Sequence, residues 1–118
     1  MDMFALMRPA PIRRECEPHG SVLQGEAQEL LSLPGKIRAL PLAEIELHPH
    51  DDGLWMWSTS YHLEDMSGGS YKVGPKWGKF APTRSDALFY AAEELIEKMG
   101  KKSCVSARRV EAWARDLQ

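Results

Sequence analysis

The sequence predicts an α+β domain: an antiparallel sheet of three to four strands packed on one face by a helix, with an additional C-terminal helix and a short N-terminal helix. Three observations lead there. LWMWSTSYHL (54–63) puts Trp55, Trp57, Thr59, Tyr61 and Leu63 on one side of a strand by the two-residue period. PTRSDALFYAAEELIEKMG (82–100) puts Leu88, Ala91, Ala92, Leu95 and Met99 on one stripe of a helix. An aromatic strand face needs a cover and the helical stripe is one, so the two dock as layers.

Along the chain, residues 1–21 hold Pro9, Pro11, Pro18 and Gly20 without periodicity and read as an irregular arm. Residues 22–118 then form a single α+β domain. GEAQELLSL (25–33) reads as a short helix, with Leu23, Ala27, Leu30 and Leu31 to one side and Pro34-Gly35 as its stop. In KIRALPLAEIELH (36–48), Ile45 and Leu47 alternate with Glu44 and Glu46, as in a half-buried strand. Pro41 donates no ladder bond, so that strand starts after it or lies at an edge. On the strand at 54–63, Leu54 and Met56 begin the second face, which turns polar at Ser58, Ser60 and His62. EDMSGGS (64–70) reads as a hairpin loop, YKV as a resumed strand, GPK as its break and WGKFA as its end. Thr83 is the expected N-cap of the long helix, with Asp86 three residues on and Gly100 as the C′ residue. SARRVEAWARDLQ closes the chain as a helix with Val110, Trp113, Ala114 and Leu117 at i, i+3, i+4 and i+7.

With 118 residues, 43% hydrophobic and 27% charged, the chain is sized for one folded core rather than for disorder. No apolar run reaches the ~18 residues of a bilayer span. The start, MDMFALMRPAP, lacks a basic region ahead of its apolar residues, so no secretion signal, a cytoplasmic location and free thiols at Cys16 and Cys104 are expected. The net charge of −2 favours neither nucleic acid nor a membrane. Its distribution is uneven. Residues 51–97 carry eight acidic groups against four basic, and residues 98–118 carry six basic against two acidic.

HPHDDGLWMW (48–57) is the one stretch resembling chemistry. His48 and His50 would share a strand face, Asp51, Asp52 or His62 could complete a zinc set, and Ser58 nearly meets the JAMM-type spacing. Tyr61 stands where that spacing needs an aspartate, and Pro49 interrupts the strand. PHDDG is therefore expected to be an inter-strand turn, with Asp52-Gly53 as its turn chemistry. Cys16 and His19 have C-x-x-H spacing without a second pair. Ser58, Ser60, His62 and Asp65 lie close in sequence, but strand alternation scatters them and no G-x-S-x-G turn is present. SGGS and GPKWGK match no phosphate-binding loop. No catalytic set, cofactor or metal is expected.

The order DGLWMW, a glycine-containing loop and PTRSDALFYAAEEL resembles a class of small phage and plasmid proteins with W-x-W on a strand and T-x-x-x-A opening a helix. More loosely it is similar to one type I-F anti-CRISPR family, through Trp55, Trp57, Pro82, Thr83 and Ala87 over residues 45–97. Double-stranded-RNA-binding and AP2-type domains share the layout but carry denser basic residues. The resemblance implies a non-enzymatic mobile-element protein that inhibits another protein or nucleoprotein complex, such as a CRISPR effector. The expected mode is an acidic surface of Asp51, Asp52, Glu64, Asp65, Glu93, Glu94 and Glu97 filling a basic groove. The alternative is a DNA- or RNA-binding accessory protein using Lys98, Lys101, Lys102, Arg108 and Arg109, aided by the free N–H groups of the last helix.

Overall fold

A computed structural model of the chain describes residues 12–13, 29–35, 40–74 and 77–118. The alternation expected around the two tryptophans resolves into one strand, β4 (Trp55–His62), at the centre of the fold. Trp57 and Thr59 are buried on one face and Met56 and Ser58 on the other. Before it lie β2 (Glu29–Leu33) and β3 (Ala43–Pro49), and after it β5 (Gly68–Ser70). The four form an antiparallel sheet in chain order. Two helices follow, α1 (Arg84–Met99) and α2 (Val105–Leu117). A separate ladder joins β1 (Ile12–Arg13) to β6 (Lys79–Phe80). The rest of the N-terminal arm lies outside the described residues.

The main core sits between sheet and helices. Ala43, Ile45, Leu47 and Trp57 from the sheet meet Ala87, Ala91, Ala92, Leu95 and Met99 from α1, and Ala107, Val110 and Ala114 of α2 close the other side of α1. The small residues on α1 let it approach both its neighbours. A second cluster of Met56, Val73 and Phe80, with Leu54 against it, lies on the opposite sheet face near the start of β4. Among the described residues no helix is long and apolar enough to cross a membrane.

Two elements depart from expectation. Residues 29–33 form the edge strand β2 rather than the end of a helix; residues 25–28 lie outside the described set. Glu29, Leu31 and Leu33 pair across Leu47, Ile45 and Ala43. The two-residue period points Leu31 and Leu33 into the core and leaves Leu30 exposed. A helix would have gathered Leu30 and Leu31 on one side, so packing against β3 overrides local helix propensity. The Arg84 guanidinium pins β2 to α1 by donating from Nε to both Glu29 oxygens at 2.8 and 2.6 Å.

The strand after the hairpin is also displaced, to Gly68–Ser70 from Tyr71–Val73. The turn is tight: Leu63 N–H donates to Ser67 O at 2.9 Å, and Asp65 Oδ1 accepts from Ser67 N at 2.9 Å. The ladder therefore resumes at once, with Gly68 opposite His62. A Cβ at Gly68 would lie 2.9 Å from the Tyr61 carbonyl oxygen, so this position takes only glycine. Pro49, expected to interrupt β3, is instead its last residue and pairs across Trp55.

Met66 closes this turn with φ of 69°, the left-handed region that costs a side-chain-bearing residue about 1 kcal/mol or more. It is 94% exposed and gains little packing in exchange. Met66→Gly is expected to raise the unfolding free energy by about 1 kcal/mol, read as a higher urea midpoint at unchanged slope.

The α1 N-cap is the one expected: Thr83 Oγ1 accepts from Asp86 N–H at 3.1 Å and donates to Asp86 Oδ2 at 2.9 Å. Gly100 caps the other end with φ of −61°, a right-handed conformation rather than the left-handed one expected of a C′ glycine. Arg108 compensates. Its Nη2 donates to the Lys102 carbonyl at 2.8 Å and to the Met99 carbonyl, which also accepts from Lys102 N–H at 3.0 Å.

Candidate functional site

HPHDDG is a turn. His50 N–H donates to Leu54 O at 2.7 Å, Gly53 N–H to His50 O at 3.0 Å, and Leu54 N–H to Asp52 Oδ1 at 3.0 Å. Gly53 has φ of 85°, which its lack of a Cβ permits. The His50 ring lies 5.3 Å from Phe80, over the second cluster. His48 faces Met56 across the ladder, whereas His62 ends β4 six residues later, about 20 Å away along the strand. The three imidazoles do not converge. Among the described residues no three of His, Cys, Asp or Glu are arranged to hold a metal. Cys104 is a free thiol; Cys16 and His19 lie outside the described residues.

Between the sheet and α1 the structure assembles a polar cluster that strand and helix periods alone do not connect. Glu94 Oε2 accepts from Thr59 Oγ1 at 2.5 Å and from Tyr71 OH at 2.7 Å. Its Oε1 pairs with Lys79, which also donates to Tyr71 OH at 2.9 Å and lies 4.5 Å over the Tyr71 ring. Lys98, one turn along α1, donates to Thr59 Oγ1 at 3.3 Å. Burial raises the Glu94 carboxyl, but hydrogen bonds from Lys79, Thr59 and Tyr71 and the Lys79 charge outweigh it, leaving the group below its ordinary range. Burial, then the charge of Glu94, pushes the Tyr71 phenol far above its ordinary value. Tyr71 is thus a fixed neutral donor. The cluster is a pin whose members satisfy one another.

Placing the seven acidic residues removes the single surface expected of them. Asp51 and Asp52 sit in the turn before β4 and Glu64 and Asp65 in the turn after it, about 26 Å apart along an eight-residue strand. Glu94 belongs to the pin. Glu93 accepts from Gln118 Nε2 at 2.6 Å, and Glu97 is exposed farther along α1. Glu64 caps α2: its Oε1 accepts from Ser106 N–H at 3.0 Å while its own N–H donates to Ser106 Oγ at 3.2 Å. The N-terminus of α2, expected to assist phosphate binding, is therefore occupied by a carboxylate of the chain itself. Of the five cations, Lys98 joins the pin, Arg108 caps α1 and Lys102 lies near Asp65; Lys101 and Arg109 remain for other contacts.

Where the turn after β4 meets the start of α2, a groove of about 310 Å³ opens. Leu42 and Leu63 are buried in it, Leu40 and Val105 stand up from it, and His62, Glu64, Ser106 and Arg109 complete it. Val105 is 71% exposed and Leu40 47%. Met66 tips the turn that carries Glu64. Two of the four large apolar side chains exposed among the described residues, Leu40 and Val105, thus line one groove; Met66 is on the neighbouring turn and Leu30 on β2. Helical periodicity marks Val105 as off the core stripe of α2, and Met66 is an apolar residue in a polar hairpin turn. Both were visible signals; the meeting of their two segments was not, because it depends on Glu64 bonding to Ser106 across 42 positions.

A second concavity, about 380 Å³, crosses the sheet face without helices. Glu44, Glu46, Ser58, Ser60, His62, Ser70, Tyr71 and Lys72 line it, and Ser58 Oγ donates to Glu46 Oε2 at 3.5 Å.

Comparisons with protein-family models, with curated proteins and with solved structures return no match.

Proposed function

We propose that this chain is a non-enzymatic protein-binding module of a phage or plasmid, acting in an anti-CRISPR-like way by occupying a surface of another protein or nucleoprotein complex. The observation that carries the binding reading is the apolar groove at the β4–α2 end. Monomeric proteins gather few exposed apolar groups in one place without a use for them, and binding energy concentrates in such anchors inside a charged rim. The cluster around Glu94 supports a non-catalytic role, since its donors and acceptors are already bonded to each other. The mobile-element origin rests on the W-x-W and Pro-Thr order alone. The scattered carboxylates make a single acidic face filling a basic groove the weaker docking mode.

The test is capture from a phage-bearing bacterial host with the tagged chain, its Val105→Asp/Leu40→Asp variant and its Glu93→Lys/Glu97→Lys variant. Both pairs are surface changes, so circular dichroism and thermal unfolding should match the parent. Loss of the captured protein with the first pair and retention with the second is expected. The reverse pattern would return the reading to the acidic helix. A DNA or RNA mobility shift that falls steeply with salt and disappears in Lys101→Ala/Lys102→Ala/Arg109→Ala would replace it with nucleic-acid binding.

A further inference from the structure

We infer that the groove between Leu63 and the first turn of α2 receives a peptide segment in which an apolar side chain stands one helical turn from a carboxylate that pairs with Arg109. This rests on the docking reading above and adds the chemistry of the occupant.

The charge balance around the groove selects the carboxylate. Glu64 is offset by the positive end of α2, whose Ser106 N–H it accepts. Asp65 is offset by hydrogen bonds from Ser67 and by the nearby Lys102 charge, which hold its carboxyl below the ordinary range. Arg109 lines the same groove, is exposed, and makes no ion pair or hydrogen bond among the described residues. A wholly apolar occupant would strip water from its guanidinium and return nothing, whereas a carboxylate replaces that water with a charge-assisted, bidentate pair.

The spacing follows from α2. Arg109 is four residues after Val105, so the two project from the same side of the helix about 6 Å apart along its axis. An occupant seating an apolar group between Leu40 and Val105 places its acid one helical turn away. A lysine there would meet Arg109 as a like charge.

The probe is a pair of helical peptides of about 18 residues, identical except that one carries Glu-x-x-x-Leu-x-x-x-Glu and the other Lys-x-x-x-Leu-x-x-x-Lys, so that either chain direction presents the charge to Arg109. Each is titrated into the isotope-labelled full chain. The acidic peptide is expected to shift the amide signals of Leu40, Leu63, Val105 and Ser106 and to bind about tenfold more tightly than the lysine peptide. Arg109→Glu should invert that order, and Val105→Asp should abolish both. Equal binding of the two peptides at the groove, unchanged by Arg109→Glu, would overturn the charge pairing and leave the docking reading standing. No shift with either peptide would also overturn it; if Val105→Asp still releases the captured partner, docking stands without this occupant, and if it does not, both readings fall. Shifts around Arg109 with a DNA duplex and none with the acidic peptide would assign the site to nucleic acid.

Discussion

Trp57→Ala should lower the unfolding free energy by about 4 kcal/mol, measured as a drop in urea midpoint at unchanged slope. Trp57 is 2% exposed, packs in the main core and lies 5.8 Å from the Tyr90 ring. Alanine there removes the indole and leaves a cavity facing α1, which the already small Ala87, Ala91 and Ala92 cannot fill. Against the ~5–15 kcal/mol typical of a whole domain, that loss is a large share of the total. Trp57→Phe separates packing from hydrogen bonding. The indole Nε1–H is buried with no hydrogen-bond partner among the described residues, so removing it costs no bond and relieves an unpaired donor. The phenylalanine variant should therefore lie within about 1.5 kcal/mol of the parent. A loss under about 1 kcal/mol for alanine would mean that the tryptophan strand does not carry the core.

Glu94→Ala should cost about 3 kcal/mol, near the low end for a broken buried ion pair because its side chain retains 18% exposure. The variant leaves the half-buried Lys79 ammonium without its carboxylate and takes the acceptor from the hydroxyls of Thr59 and Tyr71. The same group sets an acid dependence. Its carboxyl titrates lower in the folded chain than in the unfolded one, so between the two values the unfolded chain binds more protons. Its stabilisation is fully present above about 4.5 and is lost as pH falls through the folded value. Glu94→Gln keeps the side-chain shape but not the charge. Its stability should change less than the parent's over that acid range, and parallel unfolding curves for the two would assign the acid sensitivity to other carboxylates.

The elements that could be read from residue order are those whose period and cap agree. Residues 84–99 combine an N-cap, an apolar stripe and a glycine end, and residues 55–62 combine β-branched and aromatic residues with strict alternation. Residues 29–33 misled because Glu, Leu and Leu favour a helix locally, while the ladder to β3 and the Arg84–Glu29 pair exist only after folding. The hairpin strand slipped because a four-residue turn ending at Ser67 depends on Asp65 and on a left-handed Met66. The site was less legible than the fold. Glu93, Glu94 and Glu97 read alike as a solvated helix face, yet one is buried against Tyr71, one meets the last residue of the chain and one is exposed.

Composition and period alone thus established a sheet covered by a helix, the tryptophan face of β4 and the turn around Asp52-Gly53, because each rests on neighbours within a few residues. Tertiary packing assigned the work of the charged groups. Coulombic and hydrogen-bond partners such as Thr59 with Glu94 or Glu64 with Ser106 are 35 and 42 positions apart, and no local pattern encodes contacts at that separation.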